Sequence, residues 1–450
     1  MNILGTHKHF TISIMMIACH AFTNTQILNL ANAKINLYPD DHADLYIYMG
    51  KSISSTLIDA VRSSRVFENV YCLDPFIISA SRVPVIGRIP KIGKIGNVGI
   101  KWIYLRAYKQ LLEHLNNCKN YDRAILTWFY AENVFLLYYW SKGKKDFKIS
   151  FLDEGTGSYC YTEKQMMYSK NLMGSRKDRL RKYLAEHSLS KRLIKYVDSI
   201  ILYQPEMCRP DIHWKKIKLP AVNEQSNPIM CDILRSSVKN LDMIHYMQYE
   251  KRNAIYLSTY SVEGAPFDLI SLKVLELMEY VFGEKRVVAK IHTGNTAHKE
   301  NFAKSFEKRL FVDREKYIFE GLYMQLPNRG KKLIVSCIST AAIYPKFMFD
   351  EEPYVIFTYR LYDTYRQCGV ERDDWMASKV IKAYSDKSKV MIPNSFDELR
   401  QMLKKMIPKI CEEYWWAENS DVVLGSEEVL DSSAREVAME HDINEQTKDK

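Results

Sequence analysis

Phe147-Lys148-Ile149-Ser150-Phe151-Leu152-Asp153-Glu154-Gly155-Thr156-Gly157-Ser158-Tyr159 is the stretch on which the reading of this chain turns. A largely apolar run, Phe147 to Leu152, feeds into two adjacent carboxylates and then a Gly-Thr-Gly turn. A strand that ends in this way holds its acids at the lip of a sheet. In open α/β sheets, ligands bind outside the carboxyl ends of the strands. Two neighbouring carboxylates there suit proton transfer, because each disfavours ionisation of the other.

Working outward, short β-like runs alternate with helical stretches. In the first half the expected strands are Thr11–Ala18, Leu45–Met49, Asn69–Cys72, Ala124–Trp128, Lys148–Leu152 and Ser199–Tyr203. Helical patterns cover Thr25–Ala33, Ser54–Ser64, Trp102–Asn117 and Ala131–Ser141, and the Gly- and Pro-rich residues 83–99 read as a loop. The alternation restarts with strands at Ala254–Thr259, Arg286–His292, Lys316–Phe319, Lys332–Ser336, Tyr354–Thr358 and Lys389–Ile392. Helices are expected at Asp268–Phe282, Ala297–Leu310 and Phe396–Lys405. Alternating β and α with short apolar strands predicts parallel, doubly wound sheets. The expected fold class is therefore α/β, with two Rossmann-like domains facing across a cleft, the GT-B arrangement. The boundaries expected are 1–220 for the first domain, 221–253 for a linker, 254–416 for the second domain and 417–450 for an acidic, disordered tail.

At 450 residues the chain exceeds one ordinary core, and its 47% apolar and 26% charged residues describe a globular protein. The net charge of +10 is unevenly spread. Arg176, Lys177, Arg179, Arg181, Lys182, Lys191, Arg192 and Lys195 crowd one segment against only Asp178 and Glu186. Residues 174–196 thus read as a basic helix covering the sheet or as a peripheral contact with an anionic membrane. No nucleic-acid-binding signature accompanies them. The nine cysteines occur singly, with no C-x-x-C, which reads as reduced thiols, buried in apolar runs for Cys72 and Cys337. Phe10–Cys19 reads as a first strand rather than a secretion signal, because polar residues separate it from Ala31-Asn32-Ala33. No run reaches the ~18–20 apolar residues of a membrane span. The localisation expected is cytoplasmic, with any membrane contact peripheral and on the inner face.

Two further segments carry chemistry. Val287-Val288-Ala289-Lys290-Ile291-His292-Thr293-Gly294 is a buried strand delivering Lys290 and His292 toward its carboxyl end, where proton-donating groups suit a leaving phosphate. Taken alone, His292 reads better as a histidine at the core's edge that caps the next helix. Leu333-Ile334-Val335-Ser336-Cys337-Ile338-Ser339-Thr340 ends a strand and places Ser339-Thr340 where a helix begins. Free N–H groups and hydroxyls at a helix start bind anions, although Ser-Thr there, taken alone, reads better as an ordinary cap.

Together the three segments resemble the bacterial GT-B sialyltransferases, of the lipooligosaccharide sialyltransferase and polysialyltransferase type. These share a D/E-D/E-G motif, a His-Pro motif and a Ser-Ser/Thr motif, in that order along the chain. Here they correspond to Asp153-Glu154-Gly155, His292-Thr293 and Ser339-Thr340. Cys19-His20-Ala21-Phe22-Thr23-Asn24-Thr25-Gln26 looks like the first strand–helix turn of that fold, and Glu320 lies where such enzymes place an acid on the nucleotide ribose. The resemblance spans about residues 10–360. It departs from the family at Thr293, which stands where the motif has proline.

The resemblance implies an inverting transfer of sialic acid from CMP-sialic acid to a glycan hydroxyl, with no cofactor and no metal. The sequence accords with this, having no apolar-flanked D-x-D to hold a divalent ion. The implied catalytic residues are Asp153, Glu154 and His292, with Glu154 rather than Asp153 preferred as the base. The implied donor-binding residues are Gly155, Lys290, His292, Thr293, Glu320, Ser336, Ser339 and Thr340. A UDP-hexose or CMP-Kdo transferase, and a non-catalytic sugar-binding protein on the same scaffold, remain the alternatives. The partners expected are thus a nucleotide-sugar donor and a glycan acceptor.

Overall fold

The computed structural model describes residues 14–50, 53–73, 120–160, 192–258, 267–292, 306, 310–315, 317–362 and 370–410. Within them lie two wholly parallel sheets. The first is built from β1 (Met16–Ala21), β2 (His42–Tyr48), β3 (Asn69–Leu73), β4 (Arg123–Leu126), β5 (Lys148–Leu152), β6 (Val197–Leu202) and β7 (Lys215–Lys218). Its spatial order is β3-β2-β1-β4-β5-β6-β7. The second comprises β8 (Ala254–Leu257), β9 (Val287–Lys290), β10 (Phe311–Asp313), β11 (Leu333–Ser336), β12 (Tyr354–Phe357) and β13 (Val390–Met391), ordered β10-β9-β8-β11-β12-β13. Both are doubly wound, and their strand order reverses at β1/β4 and at β8/β11, the switch points where such sheets bind ligands.

Helices cover the sheets: α1 (Asn24–Leu37), α2 (Ser55–Ser64), α3 (Ala131–Ser141) and the short α4 (Thr156–Cys160) belong to the first half. The second half adds α5 (Pro228–Ser237), α6 (Met243–Lys251), α7 (Phe267–Phe282), α8 (Phe319–Gln325), α9 (Thr340–Phe349), α10 (Val370–Ala383) and α11 (Phe396–Ile410). Central strands such as β8 and β11 are buried along their whole length, which is why they read as continuous apolar runs rather than alternating ones. Caps set the helix starts. Thr23, Ser54, Asn227, Asp242 and Ser339 each accept a backbone N–H of the first turn.

Several expectations are corrected. The first strand runs on to Ala21, paired residue for residue with His42–Ile47, rather than ending at Ala18; its expected start at Thr11 lies outside the described residues. The third strand of the second sheet is Phe311–Asp313, not Lys316–Phe319. The Asp313 carboxylate explains the difference. It accepts the Glu315 N–H at 2.8 Å and the Tyr317 hydroxyl, which turns the chain out of the sheet and into α8. The segment 221–253, expected as a linker, carries α5 and α6. α8 approaches α5 so closely at Gly321 that an added Cβ would stand 2.7 Å from Ser237 Oγ and 2.8 Å from the Leu234 carbonyl oxygen. Strand β7 went unread because its lysines mask the pattern. They sit on an edge strand, where exposed charge discourages pairing with other chains. Cys72 is exposed on the opposite edge strand, whereas Cys337 is buried as expected. The expected helix 102–117 and loop 83–99 lie outside the described residues, as do most of 297–310 and 174–196 and the whole 417–450 tail.

Candidate active site

The carboxyl edges of the two sheets meet. β5 ends at Leu152, and Asp153 follows with its N–H on the Ile201 carbonyl of β6 at 2.9 Å. The Asp153 side chain is buried and surrounded by donors. Oδ1 accepts the Gly155 N–H at 2.6 Å and the Tyr344 hydroxyl of α9 at 3.4 Å. Oδ2 accepts the Tyr159 hydroxyl and the Tyr203 N–H, the latter at 3.3 Å. Burial pushes this carboxyl up to about 6, against the opposing pull of those four hydrogen bonds. Burial, reinforced by the Asp153 charge, holds the Tyr159, Tyr203 and Tyr344 phenols well above their ordinary range, so all three stay donors.

Asn29 of α1 ties the two halves together. Its Nδ2 donates to the Asp153 carbonyl at 2.8 Å and to Tyr344 Oη at 2.9 Å, while its Oδ1 accepts the Tyr203 hydroxyl at 2.9 Å. Further contacts run the same way. The Val222 N–H donates to the Met348 carbonyl at 2.6 Å, and the Tyr159 and Phe347 rings meet edge-on at 5.3 Å.

Gly155 lies at the centre of this junction. Its φ is +94°, a conformation L side chains rarely adopt, and a Cβ there would overlap the Thr340 side chain. The turn after the acid pair and the start of α9 are therefore in contact. Glu154 is half-buried, and its N–H donates to Ser158 Oγ at 2.8 Å. Of the two acids, Asp153 is fully buried and consumed in holding the loop, whereas Glu154 is half-buried, with its Oε2 out of contact with solvent.

On the second sheet, Ser339 caps α9 by accepting the Ala341 N–H at 3.3 Å, and Ser339 and Thr340 are both half-buried. Behind them, at the ends of β11 and β12, Ser336 and Thr358 are fully buried. The Thr358 N–H bonds the Ser336 carbonyl at 2.9 Å. Among the described residues neither hydroxyl has a hydrogen-bond partner, an arrangement that calls for a ligand or water.

His292 follows the end of β9 by two residues, with its N–H on Ser258 Oγ at 2.6 Å. Thr293 lies outside the described residues. Lys290 is buried and committed elsewhere: its ammonium donates to the Glu315 carbonyl at 2.9 Å, pairs with Asp313 at 3.2 Å and lies 4.0 Å from the Tyr317 ring centroid. Burial pulls the Lys290 ammonium below its ordinary range, while Asp313 opposes this. Glu320 is buried in the first turn of α8, and burial pushes its carboxyl up, offset by its own backbone N–H and by Lys290.

The structure thus brings Gly155 and Thr340 together, beside Asp153, Glu154 and Ser339. It places Lys290 and Glu320 in each other's field and sets His292 just beyond the end of β9, the strand that carries Lys290 and is separated from β11 by β8. The sequence reading missed Asn29, Tyr203 and Tyr344, which come from distant segments, and Ser258 and Thr358. Tyr159 was in view, four residues after Gly155, but carried no mark of its hydrogen bond.

No family model matches the sequence, and no curated protein matches it. Solved structures similar in fold include a UDP-N-acetylglucosamine 2-epimerase from Neisseria meningitidis bound to UDP-GlcNAc, at 13% identity and TM-score 0.40, covering 90% of this chain and 93% of that one. The GT-B domain of a sialyltransferase from Photobacterium damselae is similar at 12% identity and TM-score 0.42, covering 84% and 100%. A further UDP-N-acetylglucosamine 2-epimerase is similar at 12% identity and TM-score 0.42, covering 91% and 97%. All three similarities are distant.

Proposed function

We propose that this chain is an inverting, metal-independent glycosyltransferase that moves sialic acid from CMP-sialic acid to a hydroxyl of a cell-surface glycan, a lipooligosaccharide or capsular polysaccharide. The observation that carries the proposal is the packing of Gly155 against Thr340, which sets a carboxylate loop against a helix start able to hold a phosphate. Glu154 takes the proton of the acceptor hydroxyl as that oxygen attacks the anomeric carbon. The bond from that carbon to the phosphate oxygen breaks, and its electron pair leaves with CMP. His292 protonates or hydrogen-bonds the departing phosphate, with Ser339, Thr340 and the α9 N-terminus stabilising its charge. Asp153 holds the loop and Glu320 receives the ribose, while the charge of Lys290 is matched by Asp313 at 3.2 Å and leaves little net field for the donor.

Thr293, in place of the motif's proline, favours keeping a second donor in view, a UDP-hexose or CMP-Kdo. Isothermal titration with CMP, UDP and GDP separates the readings. CMP binding supports the proposal, UDP-only binding moves it to another donor, and no nucleotide binding points to a sugar-binding protein without catalysis. Among the described residues no helix is long and apolar enough to cross a membrane. Within the basic segment 174–196, Arg192 and Lys195 are exposed. A peripheral contact with anionic lipid through this segment belongs to the same proposal, and vesicle binding unchanged after its basic residues become glutamine would remove it.

A further inference from the structure

Asp313, the last residue of edge strand β10, gathers partners from several other segments. Its Oδ2 accepts the Tyr249 hydroxyl of α6 and the Tyr317 hydroxyl, and pairs with Lys290 of β9 at 3.2 Å. Its Oδ1 accepts the Glu315 N–H at 2.8 Å and faces Nε2 of His245, on α6, at 3.6 Å. Against its burial, Lys290, His245 and both phenols hold the Asp313 carboxyl well below the usual carboxylate range, so it stays ionised.

His245 connects this cluster to solvent: its side chain is 23% exposed, against 6% for Lys290 and 0% for Asp313. Its Nδ1 lies 3.8 Å from Oδ2 of Asp242, the exposed residue that caps α6. Both ring nitrogens therefore face carboxylate oxygens. A neutral imidazole has an N–H on only one nitrogen and turns a lone pair toward an anion on the other, whereas the imidazolium has a donor for each. Nε2 is buried and has no hydrogen-bond partner at its present distance. The ring meets Phe311 edge-on at 5.0 Å and Tyr317 at 6.3 Å. The other charges around it are Glu315, in the turn after β10, and Arg252, whose guanidinium lies 5.6 Å from the Phe311 ring centroid. Asp313 lifts the imidazole above its ordinary range, with Asp242 and Glu315 adding to the effect and partial burial opposing it.

The consequence reaches the carboxyl edge of the second sheet through Lys290. With His245 neutral, Lys290 and Asp313 cancel. With His245 protonated, two cations share the one buried carboxylate, while Asp242 is exposed and its charge is screened. Lys290 ends β9, its field reaches Glu320 in the first turn of α8, and His292 follows two residues on. We propose that His245 is a positioning residue acting through Asp313 on Lys290: by taking a proton from solvent it draws on the Asp313 carboxylate and frees the Lys290 field to strengthen binding of the nucleotide phosphate. The inference rests on the transferase reading above and adds a control to its donor site.

The test is CMP titration of the full chain at about pH 5.5 and about pH 8, on either side of the ordinary histidine range, for wild type and His245→Gln. Titration of the CMP phosphate and of Asp153 is common to both proteins, so the difference between their profiles isolates His245. At the acidic pH wild type is expected to bind CMP roughly three- to ten-fold more tightly than His245→Gln, the effect of one charge over roughly 10 Å at an effective dielectric of about 20, reduced by salt. At the alkaline pH the two are expected to match. His245→Lys, whose charge is fixed, is expected to keep the tighter affinity at both. NMR of the imidazole is expected to place the wild-type His245 pKa above the ordinary range and to lower it in Asp242→Asn, an exposed change that retains a capping side chain. Parallel profiles for wild type and His245→Gln, or a His245 pKa at or below the ordinary value, would overturn the proposal. CMP binding with such parallel profiles fails the His245 control alone, whereas no CMP binding at either pH fails the transferase reading and the control together.

Discussion

Replacing Gly155 by alanine probes the junction on which the account turns, and its cost divides into two parts. The backbone part comes from φ +94°, worth roughly 1–2 kcal/mol for a residue with a Cβ. The steric part comes from overlap with Thr340, in the range of roughly 1–3 kcal/mol for an overpacked contact. Gly143 supplies the reference for the first part, because it has φ +81° and nothing within 4 Å of its would-be Cβ. Gly143→Ala is therefore expected to cost about 1–2 kcal/mol and Gly155→Ala about 2–5 kcal/mol. Thr340→Ala in the Gly155→Ala background is expected to return part of the steric cost, giving a coupling energy of at least about 1 kcal/mol in a double-mutant cycle. Urea denaturation of the four variants reads the cycle, and CMP titration reads the donor site. Additive costs, or equal costs at Gly143 and Gly155, would show that the acid loop and α9 do not touch.

The Asp153 carboxyl, raised by burial from 3.8 to about 6, makes stability pH-dependent. Between those values the folded state binds the proton more tightly than the unfolded chain, so this contribution is complete below about pH 4. It is lost as pH rises through 6, by about 3 kcal/mol. Denaturation of wild type and Asp153→Asn at pH 4 and 7 should show the wild-type advantage shrinking toward pH 7; a flat or opposite trend contradicts the assignment. Tyr344→Phe removes the hydroxyl shared by Asp153 and Asn29. It is expected to cost about 1–3 kcal/mol and to move the pH-dependent transition upward, because one hydrogen bond that lowers the Asp153 pKa is gone. An unshifted transition, followed by the same pH series, would mean that Tyr344 only fills space.

Much of the fold was legible because buried parallel strands read as apolar runs and capping residues mark helix starts. β5 and β11 were placed correctly for that reason, as was the start of α9 at Ser339-Thr340. What failed was governed by contacts rather than by local pattern. Lys316–Phe319 reads as a short apolar strand run, yet Asp313 ends the pairing earlier by taking hydrogen bonds from Glu315 and Tyr317. Lys215–Lys218 shows too little apolar signal, because an edge strand is held by its neighbour's backbone. At the site, the acid pair was visible but its division of labour was not. Asp153 and Glu154 are adjacent in sequence, and the donors brought by Tyr159, Tyr203 and Tyr344 mark Asp153 as the carboxylate that anchors the loop. Lys290 illustrates the converse. Its position at a strand end suggests a phosphate contact, whereas Asp313 on the next strand already holds it.

The most direct measurement is CMP release from CMP-sialic acid by wild type and by Glu154→Gln, each matched for CMP affinity. Steady release by wild type, reduced at least about a hundred-fold in Glu154→Gln with CMP binding intact, is the expected result for a lost general base. No release by wild type, or undiminished release by the variant, would contradict the assignment of the Asp153-Glu154-Gly155 loop as the acceptor-activating element.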